Sequence, residues 1–231
     1  MSIVLAIDTS TEACSVALAL PGEVRERHEL LPRAHNRHIL AMVKEVLREA
    51  PLSSVDQFVC GVGPGSFTGL RIGVSVAQGL AWSTSRLIVP VCSLTAQAWS
   101  ALNILAEDTR WLLSATDAQI GQLYWRWFRV DAGQLKPCGE PKISLPNEIS
   151  PPDGPGSVAV VGSGCHYEGE LPMSDHVVTC YPDCRPHAAL MAQHVQSENL
   201  EFQALAPEQL LPRYVQTDIG WKKLSEQPRR D

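Results

Sequence analysis

Gly61-Val62-Gly63-Pro64-Gly65-Ser66-Phe67-Thr68-Gly69-Leu70-Arg71-Ile72-Gly73 is the stretch on which the fold turns. Phe58-Val59-Cys60 before it reads as a strand, the glycines make a loop, and a helical pattern follows with Ser66 placed to cap it. Loop glycines at such a helix start can aim backbone N–H groups at a ligand. No Gly-Lys-Ser/Thr follows the loop, which excludes a nucleotide P-loop. A small residue recurs every four positions, at Gly65, Gly69, Gly73, Ala77 and Ala81, although each helix-interior glycine costs about 1 kcal/mol relative to alanine. Small residues at that spacing let a neighbour approach very closely. The polar stripe is reduced to Arg71, Ser75 and Gln78, so most of the helix must be covered. The spacing predicts a packing face.

Upstream, Ile3 to Ile7 and Cys14 to Leu20 are apolar runs joined by Asp8-Thr9-Ser10-Thr11-Glu12, two buried strands around a polar turn. After Pro21-Gly22, Val24 to Leu31 reads as a third strand whose charges suit an exposed edge. A helix is expected from about Asn36, its cap, to Ala50, stopped by Pro51. Downstream, Leu87 to Val91 is strand-like, Thr95 to Leu105 helix-like, and Trp111 to Ala115 leads to Asp117 much as Ile3 to Ile7 leads to Asp8. Leu123 to Phe128 is an aromatic strand, residues 137–157 read as a surface excursion, Val158 to Val161 is a strand entering Gly162-Ser163-Gly164, and Pro186 to Ser197 is a helix. The tail from Pro212 reads as irregular. Two strand-turn-strand units, each led by an aspartate, predict an internally duplicated α/β protein divided into residues 1–108 and 109–231.

Composition narrows the function classes. The 231 residues are 45% hydrophobic and 19% charged, enough for a core without staples and unlike a disordered or fibrous chain. Net charge is −6, and residues 1–110 (9 basic, 10 acidic) and 111–231 (10 basic, 15 acidic) are both acidic, which argues against strong unaided binding of nucleic acid. Seven cysteines without paired spacing are a poor disulfide framework, so a reducing cytoplasm is expected. Asp8 interrupts the first apolar run too early for a signal peptide or a membrane span.

The first hairpin through Leu18, the helix start at His35, Gly63 to Gly73, Asp117-Ala118, and the ending Pro212-Arg213-Tyr214 with Trp221-Lys222-Lys223 closely resemble the bacterial TsaB (YeaZ) family over nearly the whole chain, least distinctly between 131 and 185. The resemblance implies a duplicated actin-like, ribonuclease H-like fold of the sugar kinase and chaperone ATPase superfamily. It also implies a cytoplasmic accessory subunit, without a cofactor of its own, in synthesis of threonylcarbamoyladenosine on tRNA. Such a subunit pairs with the homologous catalytic TsaD, the ATPase TsaE joins them, TsaC makes the threonylcarbamoyl-adenylate donor, and tRNA is met through the complex. Whether the chain forms a homodimer alone is left open.

In TsaD a similar loop and helix lead to a strand and a His-x3-His metal pair; here the matching positions are Ser93 and Gln97, neither a usable substitute for a histidine ligand. His35 and His38 lack a nearby carboxylate or cysteine and read as a capping or solvated pair, and Cys180, Cys184 and His187, flanked by His176 and His194, read as structural thiols sooner than zinc ligands. No Gly-x-Ser-x-Gly elbow is present, and a metalloprotease lacks its ligands. Asp8, Thr9 and Ser10 have the polarity of an actin-like phosphate-binding hairpin, which makes an ATP-dependent phosphotransferase or ATPase the alternative function; a self-bonded Asx turn accounts for the same residues and is favoured. The partner surface is expected on helices 36–50 and 66–82. Leu40, Val43, Leu47 and Ala50 would face the core, leaving His35, His38, Ile39, Met42 and Val46 outward beside the stripe Gly69, Gly73 and Ala77.

Overall fold

The computed structural model describes residues 2–119, 121–154, 156–197 and 203–215. The Trp221-Lys222-Lys223 motif lies outside the described residues. In chain order the first half forms β1 (Val4–Asp8), β2 (Ala13–Leu20), β3 (Glu23–Leu30), α1 (His35–Leu47), β4 (Gln57–Gly63), α2 (Phe67–Ser83), β5 (Ile88–Cys92) and α3 (Ser93–Ala101). The second forms β6 (Thr109–Asp117), β7 (Leu123–Asp131), β8 (Gln134–Ser144), β9 (Ser157–Val161), β10 (Val177–Tyr181) and α4 (Ala188–Gln196).

The strands make two five-stranded sheets, ordered β3-β2-β1-β4-β5 and β8-β7-β6-β9-β10. In each, the first three strands pair antiparallel and the last two join in parallel. One topology is thus written twice, which is the duplicated α/β actin-like fold. A strand covered on both faces reads as a continuous apolar run, and β1 is such a strand. Leu5 and Ile7 join the core under α1 and α2, while Val4 and Ala6 join the opposite layer with Trp99 of α3 and Met191 and Val195 of α4. The chain crosses between sheets through α3. After β10 it returns: α4 packs on β1 and β2, and Leu205 bridges to Ile88. The unit expected at 109–231 therefore gives its last segments to the first sheet.

Several expectations are corrected. The surface excursion at 137–157 contains most of β8, whose prolines and Gly139 are tolerated because it is an edge strand with a register shift against β7. A second edge strand, β10, was not expected from its short, half-exposed sequence. Helix α1 starts at His35 with Ala34 rather than Asn36 in the cap position, and α3 spans Ser93–Ala101 rather than 95–105.

The face of α1 is also corrected. Ile39, Met42 and Val46, expected outward, are buried with Val43 and Leu47, and Leu40, expected inward, is 60% exposed. Leu40 lies one turn from Arg37 and one from Lys44, on the charged side, so the wide apolar arc is centred one residue away from where it was placed. On α2 the small-residue stripe does not face outward. A Cβ on Gly69 would stand 2.1 Å from the Thr9 carbonyl oxygen, and one on Gly73 would stand 2.3 Å from Thr9 Oγ1. Ala77 and Ala81 are fully buried. The close neighbour that the stripe admits is the chain's own β1–β2 turn.

Candidate functional site

Asp8 ends the central strand and is 1% exposed. Its Oδ1 accepts from the Ser10 amide at 2.8 Å and the Ser10 hydroxyl at 2.7 Å, and its Oδ2 accepts from the Ser93 hydroxyl at 3.1 Å. Ser93, at the start of α3, in turn accepts from the Gly63 amide at 3.1 Å. The β4 backbone lies so close that a Cβ on Gly61 would stand 1.8 Å from Asp8 Oδ2. Thr9 is spent likewise, its hydroxyl donating to the Gly69 carbonyl at 2.7 Å. The turn is sealed by side-chain bonds to its own backbone and by α2, so the Asp8 carboxylate is enclosed by protein. Asp117 repeats the motif in the second sheet, its Oδ1 accepting from the Gln119 amide at 2.7 Å.

Burial pushes the Asp8 carboxyl above its ordinary value, against the pull of the Ser10 and Ser93 bonds. Burial, with Asp8 and Glu29 adding to it, pushes the neighbouring Cys14 thiol up to about 12, and the Cys60 thiol rises for the same first reason. Neither thiol forms a thiolate nucleophile at neutral pH. Gln97, one turn along α3 from Ser93, is buried across the junction between halves: its Nε2 donates to Ser114 Oγ and to the Val161 carbonyl, both at 3.0 Å, and its Oε1 accepts from Thr116 Oγ1 at 3.1 Å. At the two positions where the resemblance implies metal ligands in TsaD, this chain carries hydrogen-bonding ties.

His35 is buried and its Nε2 has no hydrogen-bond partner among the described residues, whereas His38 is exposed, so the two do not converge. The Cys180 to His194 set is dispersed. His194 stacks on Trp99 at 4.1 Å, His176 meets the Gly154 carbonyl, and Cys180 packs in the second-sheet core with Cys165.

An open groove of about 460 Å³ runs between α1 and α2. Its apolar lining is Ile39, Leu40, Phe67, Ile72 and Val76, with Arg71 among its polar residues. Arg71 lies 3.7 Å over the Phe67 ring and donates to the Tyr214 hydroxyl at 3.1 Å, and the Arg213 amide donates to the Val62 carbonyl at 2.7 Å. Segments 150 residues apart in the sequence thus meet at the glycine loop. Sequence periodicity missed Leu40, Phe67, Ile72 and Val76; the usable signal was an apolar residue inside the charged face of α1, opposite exposed Phe67.

The family model described as TsaD, tRNA N6-adenosine threonylcarbamoyltransferase, matches residues 28–177. The tRNA threonylcarbamoyladenosine biosynthesis protein TsaB of Haemophilus influenzae is 32% identical over 95% of this chain and 96% of its own length. That of Escherichia coli K12 is 34% identical over 96% and 97%. The solved structure of YeaZ from Pseudomonas aeruginosa is 33% identical with a TM-score of 0.82, covering 93% of this chain and all of that one. With a sealed Asp8 turn on a twice-written sheet and relatives of this identity along almost its full length, the chain belongs to the TsaB (YeaZ) family of tRNA threonylcarbamoyladenosine biosynthesis proteins.

Proposed function

We propose that the chain is a non-catalytic accessory subunit in the formation of threonylcarbamoyladenosine on tRNA. It pairs with a TsaD-type catalytic subunit, TsaE joins the pair, and tRNA is engaged by the assembly in the cytoplasm. The observation that carries this is the closed Asp8 turn: both carboxylate oxygens are bonded within the chain, and the backbone of β4 lies against them. A phosphotransferase of this fold would need that carboxylate open to a metal and a phosphate. Among the described residues no helix is long and apolar enough to cross a membrane.

The pairing surface follows from the corrected faces. His35, Met42, Val46, Gly69, Gly73 and Ala77 support it from beneath, and the contact itself is the α1–α2 groove, with Leu40 60% and Phe67 49% exposed. A homologous partner presenting an equivalent helix pair would complete a four-helix arrangement over it. The test is reconstitution with TsaD, TsaE, threonylcarbamoyl-adenylate and unmodified tRNA. Product should form only when this chain is present, and the chain alone should give none. Turnover by the isolated chain that is lost in Asp8→Ala would overturn the proposal.

A further inference from the structure

Away from the groove, Glu26 and His28 project from the same side of edge strand β3, two residues apart, towards His187 at the start of α4. One ligand atom from each lies within 4.8 Å of the others. We propose that Glu26, His28 and His187 bind a divalent transition-metal ion of the zinc class, which clips β3 to α4.

Two imidazoles and a carboxylate are the donor set of an open zinc site, with a fourth position for water. The carboxylate is already aimed. Glu26 Oε1 accepts from Ser15 Oγ at 2.9 Å and from the Ala189 amide at 3.1 Å, the outer support that holds a ligating carboxylate in place. Among the described residues Oε2 meets only His187 Nδ1, at 3.1 Å, and the same nitrogen lies 3.3 Å from Oε1, so an ion replacing the proton between them costs this one bifurcated contact. The third residue brings an unspent nitrogen: His28 Nδ1 is buried with no hydrogen-bond partner among the described residues. The side chains of His187 and Glu26 are 34% and 22% exposed, which leaves a way in for a hydrated ion. Arg185, whose charge acts on His28, is held by Glu12 at 2.5 Å and by the Pro182 carbonyl.

Two adjustments are required. The two rings are stacked, 3.9 Å apart and 10° from parallel, and parallel rings cannot both hold one ion in their planes. Bond lengths of about 2.0–2.1 Å put tetrahedral ligand atoms about 3.4 Å apart, so the donors must also draw together. His28 is the ring that turns, because its Nδ1 has no bond to lose.

The probes are Zn2+ by isothermal titration and Co2+ by visible absorption, on the full chain with its cysteines reduced. One saturable site is expected, together with a rise in Tm on adding Zn2+ and a tetrahedral Co2+ spectrum without thiolate charge transfer. His28→Gln and His187→Gln should each weaken binding at least about ten-fold. If His187→Gln loses cooperative unfolding, His28→Gln on the exposed edge decides. No saturable binding, thiolate charge transfer from a cysteine site, or unchanged affinity in a folded His28→Gln variant would overturn the proposal.

Discussion

The hydroxyl of Ser93 donates to Asp8 Oδ2 at 3.1 Å and accepts from the Gly63 amide at the same distance, tying the first hairpin, the glycine loop and α3 to one atom. Asp8 therefore works as a structural acceptor whose charge is a burden. With its carboxyl raised above the ordinary 3.8 in the fold, the folded state binds a proton that the unfolded chain has released. Stability from this group falls as pH rises from 3.8 through the folded value and stays lower at neutral pH.

Asp8→Asn keeps the bonds to Ser10, turns the Ser93 contact into one in which the Asn Nδ2 donates to Ser93 Oγ, and loses the charge. It should be at least as stable as the parent at pH 7, with the difference shrinking towards pH 4, as read by Tm. Asp8→Ala, which orphans the Ser10 amide, should cost about 1–3 kcal/mol. An Asn variant markedly weaker at pH 7 than at pH 4, relative to the parent, would contradict this account.

Three glycines of α2 separate close approach from helix propensity. Gly69→Ala and Gly73→Ala drive a Cβ into Thr9 and should each cost about 1–3 kcal/mol in urea unfolding, despite the better helix former. Gly79 has nothing within 4 Å of the added Cβ, so Gly79→Ala should stabilise by up to about 1 kcal/mol. Equal effects at all three positions would refute the close contact.

His35 and His194 are lowered from the ordinary 6.5, in both cases chiefly by burial. Folding then favours the neutral rings, so stability falls as pH drops through 6.5 towards their folded values. Asp8 acts in the opposite sense and touches His35 electrostatically, so the cleanest background is Asp8→Asn. There, Tm should fall between pH 7 and pH 5, and His35→Gln should reduce the fall without abolishing it, because His194 and His28 are lowered by burial too. A Tm independent of pH over that interval would be contrary to it.

Much of this was legible in the sequence because local signals agreed. Ser66 caps α2 as expected, its hydroxyl accepting from the Gly69 amide at 3.2 Å, and the paired strands behind Asp8 and Asp117 gave the duplication. The rest depended on what each face meets. Glycines at four-residue spacing announce a close neighbour without saying whether it is a partner helix or the Thr9 turn. Apolar residues at both 39 and 40 allow either placement of α1, and only the sheet beneath chooses Ile39. Strand β8 was hidden by prolines that an edge tolerates. Because Met42 is 3% exposed, Met42→Glu should now unfold the chain rather than merely weaken pairing.

Binding of a TsaD-type subunit to the proposed α1–α2 surface is the most direct test of the central claim, measured by isothermal titration with the parent chain, Leu40→Glu and, as a control in the other half, Leu145→Glu. Leu40 and Leu145 are 60% and 42% exposed, so either charge should leave the fold intact. The account predicts that Leu40→Glu weakens association by at least about a hundred-fold, the scale of about 3 kcal/mol for a charge buried in an apolar contact, while Leu145→Glu binds as the parent does. Parent-like affinity in a folded Leu40→Glu variant would contradict it.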